Sequence, residues 1–318
     1  MSKYIYLDQN KWIDLARAYH GRADGKKFEK AKDKIYLKAE SGDWKFPISV
    51  VHHIETMSAL NRDRRTRLSQ VISDVSRTCS IQPYLYLEQS ELKNAIKKIF
   101  SMDTLDLKIE AIKEDFLSSS GLNSDFIQVT AANQEVKEFV ENFLKRDDLF
   151  LKLNERDFDS DTLDFIENTN KESLEVLKDL EKDRSKFLEM PENIQYKKIV
   201  AEYFLQKMLP MIPGILKELN IEREEFTNKI VKENLFYELC EDIPTLNVRA
   251  KLTYRSIRDI GRPIHKNDMK DQAFLSIAVP YCDIVVTENV WVHYAKSEKF
   301  DEKYNTLMLT SIDELLDV

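Results

Sequence analysis

Acidic residues follow two runs of aliphatic and aromatic residues at opposite ends of the sequence. Asp8 comes directly after "YIYL", and Glu288 comes directly after "IVVT". In an open parallel sheet, ligands bind beyond the carboxyl ends of the strands, so an acid at either position points into that crevice. Several carboxylate oxygens are what Mg²⁺ and Mn²⁺ prefer as ligands. The two residues therefore predict a site for a hard divalent cation.

Further carboxylates lie on predicted helices. Glu55 belongs to "VVHHIETM", a helix that closely follows a short strand. Asp268 and Asp271 are three residues apart at a predicted helix start, so one face of that helix presents both. Acids from distant parts of the chain thus recur at strand ends and helix starts. We expect all of them to share one cation site with Asp8 and Glu288.

Each acid also has an ordinary structural explanation. Asp8 could cap the helix that begins near Asn10, and Asp268 and Asp271 are first-turn acids that favour the helix dipole. Glu55 could be a solvated helix acid, and Glu288 could be a turn residue. A zinc site beside Glu55 is another alternative, formed by the neighbouring residues His52 and His53, although five histidines and no paired cysteines argue against it.

The pattern of elements that must position these acids changes twice along the chain. Residues 1–90 and 241–318 alternate strands and helices, with strands near "KYIYLD", "KFPIS", "SIQPY", "DIVVT" and "TLMLT". Residues 91–240 show long charged segments with apolar residues three and four apart, which indicates an all-helical insertion. The sequence therefore predicts a single discontinuous α/β domain with a central, mainly parallel sheet. Its chain leaves for about 150 residues and returns to the same sheet.

Composition limits the class of protein. The net charge is −8, and the acidity is concentrated in residues 91–240, so the flanks could still bind a polyanion. Three widely spaced cysteines, Cys79, Cys240 and Cys282, favour a reducing, cytoplasmic setting over a disulfide framework. The stretch "YFLQKMLPMIPGIL" is interrupted by a lysine and two prolines, so no membrane span is expected.

Basic residues precede the acids at 268 and 271. The segment "YRSIRDIGRPIHK" supplies cations that could neutralise phosphates and a tyrosine that could stack on a base. The cations are Arg255, Arg258, Arg262, His265 and Lys266. A second basic run, "NRDRRTRL", could be another phosphate-binding strip, but we interpret it as a solvated helix face.

Four motifs together resemble the PIN-domain ribonucleases. They are "IYLDQN", "HHIET", "DQAFLSIAV" and "IVVTEN", in this order along residues 1 to about 90 and about 243 to 318. The resemblance implies a three-layer PIN-like fold and a catalytic site of Asp8, Glu55, Asp271 and Glu288. It also implies one or two Mg²⁺ or Mn²⁺ ions, with Asn10 and Thr287 orienting the ligands.

The implied function is metal-dependent hydrolysis of phosphodiester bonds in RNA rather than DNA, by an endoribonuclease of toxin or defence type. The last acid in the family is usually Asp, so Asp283, which precedes the strand, is an alternative to Glu288. The helical insertion is longer than the loop of small members, and it would control substrate access or dock an inhibitor or partner protein. An oligomer is compatible with the sequence.

Two other classes of protein share part of this pattern. A catalytically inactive PIN-like module that binds RNA or a partner would have the same fold. An aspartyl phosphatase would also end a strand on Asp, but "LDQNK" lacks the second acid that it requires.

Overall fold

A computed structural model divides the chain into two compact units. The first unit comprises Met1–Pro83, Lys108–Glu167 and Tyr281–Val318, and the second comprises Tyr84–Leu107 and Asn168–Pro280. The structure describes residues 2–116, 146, 148–155, 157, 181–265 and 267–318.

A four-stranded parallel sheet forms the centre of the first unit. Its order is β2-β1-β5-β6, and each neighbouring pair is parallel. The strands of this sheet and of a small antiparallel pair, β3 with β4, are β1 (Lys3–Leu7), β2 (Trp44–Lys45), β3 (Ser80–Ile81), β4 (Ile112–Lys113), β5 (Ile284–Val286) and β6 (Leu307–Leu309). The expected α/β class with a mainly parallel sheet is confirmed, and β1 and β5 pair although they lie near opposite ends of the chain.

The two central strands are apolar on both faces. Ile5, Tyr6 and Leu7 of β1 and all three residues of β5 are buried. A parallel strand that is covered by helices on both sides has no solvent face, so its sequence is a continuous apolar run without polar alternation. The runs "YIYL" and "IVV" have this character, which explains why both strands could be predicted.

Helices cover this sheet. They are α1 (Gln9–Tyr19), α2 (Glu29–Glu40), α3 (Val50–Met57) and α4 (Arg62–Ser76), followed by helices at Leu107–Ala111, Leu149–Asn154, Asn289–Ser297 and Phe300–Tyr304, with 3₁₀ turns at Ala23–Phe28 and Ile312–Asp317. Trp12 and Leu15 of α1 are fully buried in the same apolar cluster as Val71 and Ile72 of α4. The backbone of α1 also lies so close to Gly25 that a Cβ there would be 2.3 Å from the carbonyl carbon of Arg17.

The regular secondary structure among the described residues of the second unit is helical. Its helices are Tyr84–Ile99, 181–188, Glu192–Tyr203, Ile212–Leu219, Arg223–Thr227, Phe236–Glu241, Pro244–Arg258 and Asp268–Tyr281, with π-helical turns at Phe204–Met208 and Asn228–Lys232 and a 3₁₀ turn at Leu209–Met211. Their apolar side chains form a separate core that includes Leu92, Ile96, Ile199 and Leu246.

The two units differ from the expected division at residues 91–240. The helix Pro244–Arg258 belongs to the second unit because Leu246 and Ala250 pack in the same core as Leu92 and Ile96. Conversely, β4 belongs to the first unit, since it pairs with β3. Helical periodicity identifies an apolar face but not the core against which that face packs, so the boundaries could not follow from the pattern.

One continuous helical stretch, Glu192–Leu219, is long and apolar enough to cross a membrane by length and composition. Ile199, Val200, Met208 and Ile215 from this stretch are buried in the core of the second unit. Core helices of soluble proteins have the same length and composition, so these two properties alone do not indicate a membrane span.

Candidate functional site

Asp8 and Thr287 lie side by side where β1 and β5 end. The ladder of the sheet continues one residue beyond β1, because the Asp8 amide donates to the Val286 carbonyl at 3.0 Å. The Thr287 hydroxyl then donates to Asp8 Oδ2 at 3.0 Å. The other carboxylate oxygen, Oδ1, accepts the Gln9 amide at 2.7 Å. Asp8 is therefore both the N-cap of α1 and an acid at the carboxyl edge of the sheet.

The Asp8 carboxyl is held in a place that disfavours its charge. Burial raises the pKa of Asp8, and the nearby Glu288 carboxylate raises this pKa further, whereas the hydrogen bonds from Thr287 and Gln9 lower it. A buried carboxylate with a second acid nearby gains stability from a cation. The electrostatics of this edge thus favour a positively charged ligand.

Glu288 reaches the same edge from β5. It is the N-cap residue of the helix Asn289–Ser297, but its side chain does not cap that helix. Instead, Glu288 Oε1 accepts a hydrogen bond from Asn10 Nδ2 at 2.7 Å. Asn10 belongs to the first turn of α1, directly after Asp8 and Gln9, so the start of α1 holds both acids.

Asp283 lies at the opposite end of β5. Its Oδ2 accepts the Tyr4 amide at 2.8 Å, and its Oδ1 binds Lys108 Nζ at 2.5 Å. Because β1 and β5 run in the same direction, Asp283 is at the amino edge of the sheet, and Asp8 is at the carboxyl edge. Between the two alternatives, only Glu288 lies beside Asp8.

Glu55 lies on α3, near the start of α1. Gln9 Nε2 donates to the Thr56 hydroxyl at 3.0 Å, which joins the residue after Asp8 to the residue after Glu55. Glu55 is half-buried. The pKa of Tyr6 is raised by burial, then by the charge of Asp8 and, to a smaller extent, by that of Glu55, so both acids act on one buried ring.

The neighbouring histidines have structural partners. His52 Nδ1 accepts the Ser49 amide at 3.0 Å, and Nε2 contacts the Leu7 carbonyl at 2.8 Å, so Nε2 carries the proton. Burial lowers the pKa of His52 to about 4, which keeps the ring neutral. His53 contacts Asn154 through Nδ1 at 3.1 Å. These contacts fix α3 at the end of β1 and leave His52 without a ring nitrogen for zinc.

Asp268 and Asp271 belong to the second unit. Arg262 donates two hydrogen bonds to Asp268, from Nη1 to Oδ2 at 2.7 Å and from Nη2 to Oδ1 at 2.6 Å. Asp268 is buried, and its Oδ2 also accepts the His265 amide at 3.0 Å. This bidentate pair gives Asp268 and Arg262 a role in holding the start of the helix Asp268–Tyr281. Asp271, one turn later, is half-buried.

Other members of the predicted basic cluster also have partners in the second unit. Arg258 forms an ion pair with Glu192 at 2.8 Å and donates to the Tyr254 hydroxyl at 3.0 Å. Arg255 is half-buried and His265 is exposed. Lys266 lies outside the described residues.

Asp8 and Glu288, at the ends of β1 and β5, are donors of the kind that hard divalent cations prefer. Within the described part of the chain, no three His, Cys, Asp or Glu side chains are grouped closely enough to hold a metal. Mg²⁺, however, is usually bound by only one or two protein carboxylates and keeps several waters. Asp8 and Glu288 supply such a pair, and the buried charge of Asp8 is what an ion would offset.

A cavity beside Glu55 was not expected from the sequence. It lies between α1, α3 and α4 and is lined by Gln9, Glu55, Thr56 and four arginines. The only sequence signal was the spacing of Arg64 and Arg67, three residues apart on α4.

No protein family model matches the chain, and neither a curated protein nor a solved structure matches it.

Proposed function

We propose that this protein is a metal-dependent phosphodiesterase that cleaves RNA. The observation that carries the proposal is the pair of carboxylates, Asp8 and Glu288, at the carboxyl ends of two neighbouring parallel strands. This is the edge at which open α/β sheets bind ligands. The resemblance of the four sequence motifs to the PIN-domain ribonucleases supports the same activity, and it favours an endoribonuclease of toxin or defence type in the cytoplasm.

Asp8 and Glu288 would hold one Mg²⁺ or Mn²⁺ ion. Such an ion offsets charge on the scissile phosphate and lowers the pKa of a water molecule. The chain's own contribution is to fix the two carboxylates before substrate binds. The Thr287 hydroxyl orients Asp8 and the Asn10 amide orients Glu288, and partners of this kind tune the ligands that they hold.

Two further acids are proposed on the basis of the resemblance. Glu55 lies on α3, whose next residue, Thr56, is bonded to Gln9, and it would act at the same edge as Asp8. Asp271 is proposed as the remaining catalytic acid by its motif "DQAFLSIAV". Asp268 is not included, because its pairing with Arg262 gives it a structural role that requires no metal.

Cleavage of labelled single-stranded RNA tests the proposal. We expect fragments in the presence of Mg²⁺ or Mn²⁺, none with EDTA, and none from Asp8→Asn. Asp283→Asn is the matched control, because it removes a carboxylate from the other end of β5 and keeps an acceptor for the Tyr4 amide. It should cleave as the unchanged protein does.

Intact RNA with both metals, across several single-stranded and structured substrates, would contradict the proposal. Binding of that RNA without cleavage would identify the protein as a non-catalytic module of the same fold. Cleavage of single-stranded DNA at the same rate as RNA would show that the substrate is not limited to RNA.

A further inference from the structure

The cavity between α1, α3 and α4 of the first unit has the size of a small-molecule site. Its volume is about 580 Å³, within the range of roughly 300–1,000 Å³ of ligand pockets. Gln9, Glu55 and Thr56 line one side, which connects the cavity to the start of α1, where Asp8 lies. Ile13, Ala16 and Leu68 supply apolar surface and four arginines supply charge. The arginines are Arg17, Arg22, Arg64 and Arg67.

The arginines of α1 and of the turn after it are already paired. Arg17 forms ion pairs with Asp14 at 3.0 Å and with Asp24 at 3.2 Å. Arg22 pairs with the same Asp24 at 3.1 Å. Close packing of Gly25 against α1 keeps this turn in place. The two positive charges are therefore balanced by two carboxylates.

The arginines of α4 have different surroundings. Arg64 and Arg67 are exposed, lie three residues apart on one helix face, and form no ion pair with any described residue. Their neighbours in the same basic run point elsewhere. Arg65 is buried and donates to the carbonyls of Ala59 and Leu60, and Arg62 pairs with Asp157 at 3.1 Å outside the cavity. The expectation of a uniformly solvated basic face is thus replaced by three separate environments.

We propose that this cavity binds one nucleotide of a single-stranded RNA, with its phosphate on Arg64 and Arg67. The planar guanidinium groups suit phosphate oxygens, and the apolar surface of Ile13, Ala16 and Leu68 can cover a base. The cavity reaches Glu55 and Gln9, so the bound nucleotide would flank the phosphodiester bond presented to Asp8. This inference rests on the proposed function, since it assigns a substrate subsite to that site.

Equilibrium binding separates the subsite from catalysis. The probe is a fluorescein-labelled dodecauridylate, and its anisotropy is measured in EDTA with the full chain carrying Asp8→Asn, so that the RNA stays intact. Arg64→Gln and Arg67→Gln are added singly to this background. Arg62→Gln is the matched control, because it removes the same charge from the same helix but outside the cavity. Circular dichroism checks that all variants are folded.

We expect Arg64→Gln and Arg67→Gln each to weaken RNA binding roughly threefold to tenfold and to reduce the slope of log K against log salt by about 0.7. Arg62→Gln should change binding by less than about twofold. Equal affinity and equal salt slopes for all three variants would overturn the subsite. Free uridine 5′-monophosphate that binds as tightly as the oligonucleotide would overturn it too, since the cavity would then be a site for the free nucleotide.

The two proposals fail separately. If the unchanged protein cleaves RNA but the cavity variants bind RNA normally, the proposed function stands and the subsite is refuted. If the unchanged protein does not cleave RNA but its RNA binding depends on the cavity arginines, the proposed function is refuted. The cavity is then the RNA-binding surface of a non-catalytic module.

Discussion

A bound cation should stabilise this protein through Asp8, and the substitution Asp8→Asn should abolish that effect. The Asp8 carboxylate is buried, and burial together with the Glu288 charge disfavours its ionised form. Asn keeps the size and can still accept the Gln9 amide, and Asn and Asp are about equally good N-caps. Without metal, the variant should therefore be at least as stable as the unchanged protein.

The size of the metal effect follows from binding linkage. At a metal concentration 100 times the dissociation constant, the free energy of unfolding rises by about 2.7 kcal/mol. For domains of about 150–250 residues, 1 kcal/mol shifts Tm by about 2–4 °C, so a shift of roughly 5–10 °C is expected for the unchanged protein. For Asp8→Asn the expected shift is close to zero, because one of the two charged ligands is lost.

Thermal unfolding monitored by circular dichroism measures this difference. The melts are run in EDTA and in a MgCl₂ or MnCl₂ series, with KCl adjusted to keep ionic strength constant. Asp283→Asn is the control and should retain the full shift. An equal metal-induced shift in Asp8→Asn and the unchanged protein would refute the assignment of Asp8 as a ligand. A metal-free Asp8→Asn that is clearly less stable would instead show that the charge itself holds the start of α1.

Three further substitutions test other parts of the structure. Thr287→Val keeps the shape of the side chain but removes the hydroxyl that holds Asp8. The metal affinity measured by the same melts, or the rate of RNA cleavage, should therefore fall about 10–100-fold. Unchanged values would show that Thr287 does not have this role. Asp271→Asn should abolish cleavage while leaving circular dichroism unchanged, and a variant that cleaves normally at saturating metal would remove Asp271 from the site. Burial raises the pKa of Glu88 to about 7, above its value of 4.5 when unfolded, so protonation stabilises the fold fully below pH 4.5 and this stability is lost as pH rises through 7. At pH 8, urea unfolding should therefore show that Glu88→Gln is more stable than the unchanged protein by up to about 3 kcal/mol. This difference should disappear at pH 4.5. A solvated Glu88 would give no difference at either pH.

Features encoded by local runs of residues could be predicted from the sequence. β1 and β5 are short apolar runs that are each followed by polar residues, and this pattern predicted acids at strand ends. The choice between Glu288 and Asp283 required the direction of β5 relative to β1, which the pairing of the two strands supplies.

Features that depend on packing between distant helices could not be predicted. The helix Pro244–Arg258 has an apolar face, but only the folded chain reveals that this face packs in the core of the second unit. The basic run of α4 is uniform in sequence, yet Arg65 is buried while Arg64 and Arg67 reach a cavity. Helical spacing gives the angle between these side chains, and the neighbouring elements decide what each one meets.

The structural and functional explanations of Asp8 are compatible because a carboxylate has more acceptor capacity than its neighbours use. Each oxygen of an ionised carboxylate can accept about two hydrogen bonds. Oδ1 accepts the Gln9 amide and Oδ2 accepts the Thr287 hydroxyl, so these two bonds leave part of the capacity of each oxygen for a cation. An N-cap alone would be served equally well by Asn, which carries no charge and avoids the cost of burial. The proposed cation would offset the charge that burial and Glu288 disfavour at this position, and Asp8 could hold it while still capping α1.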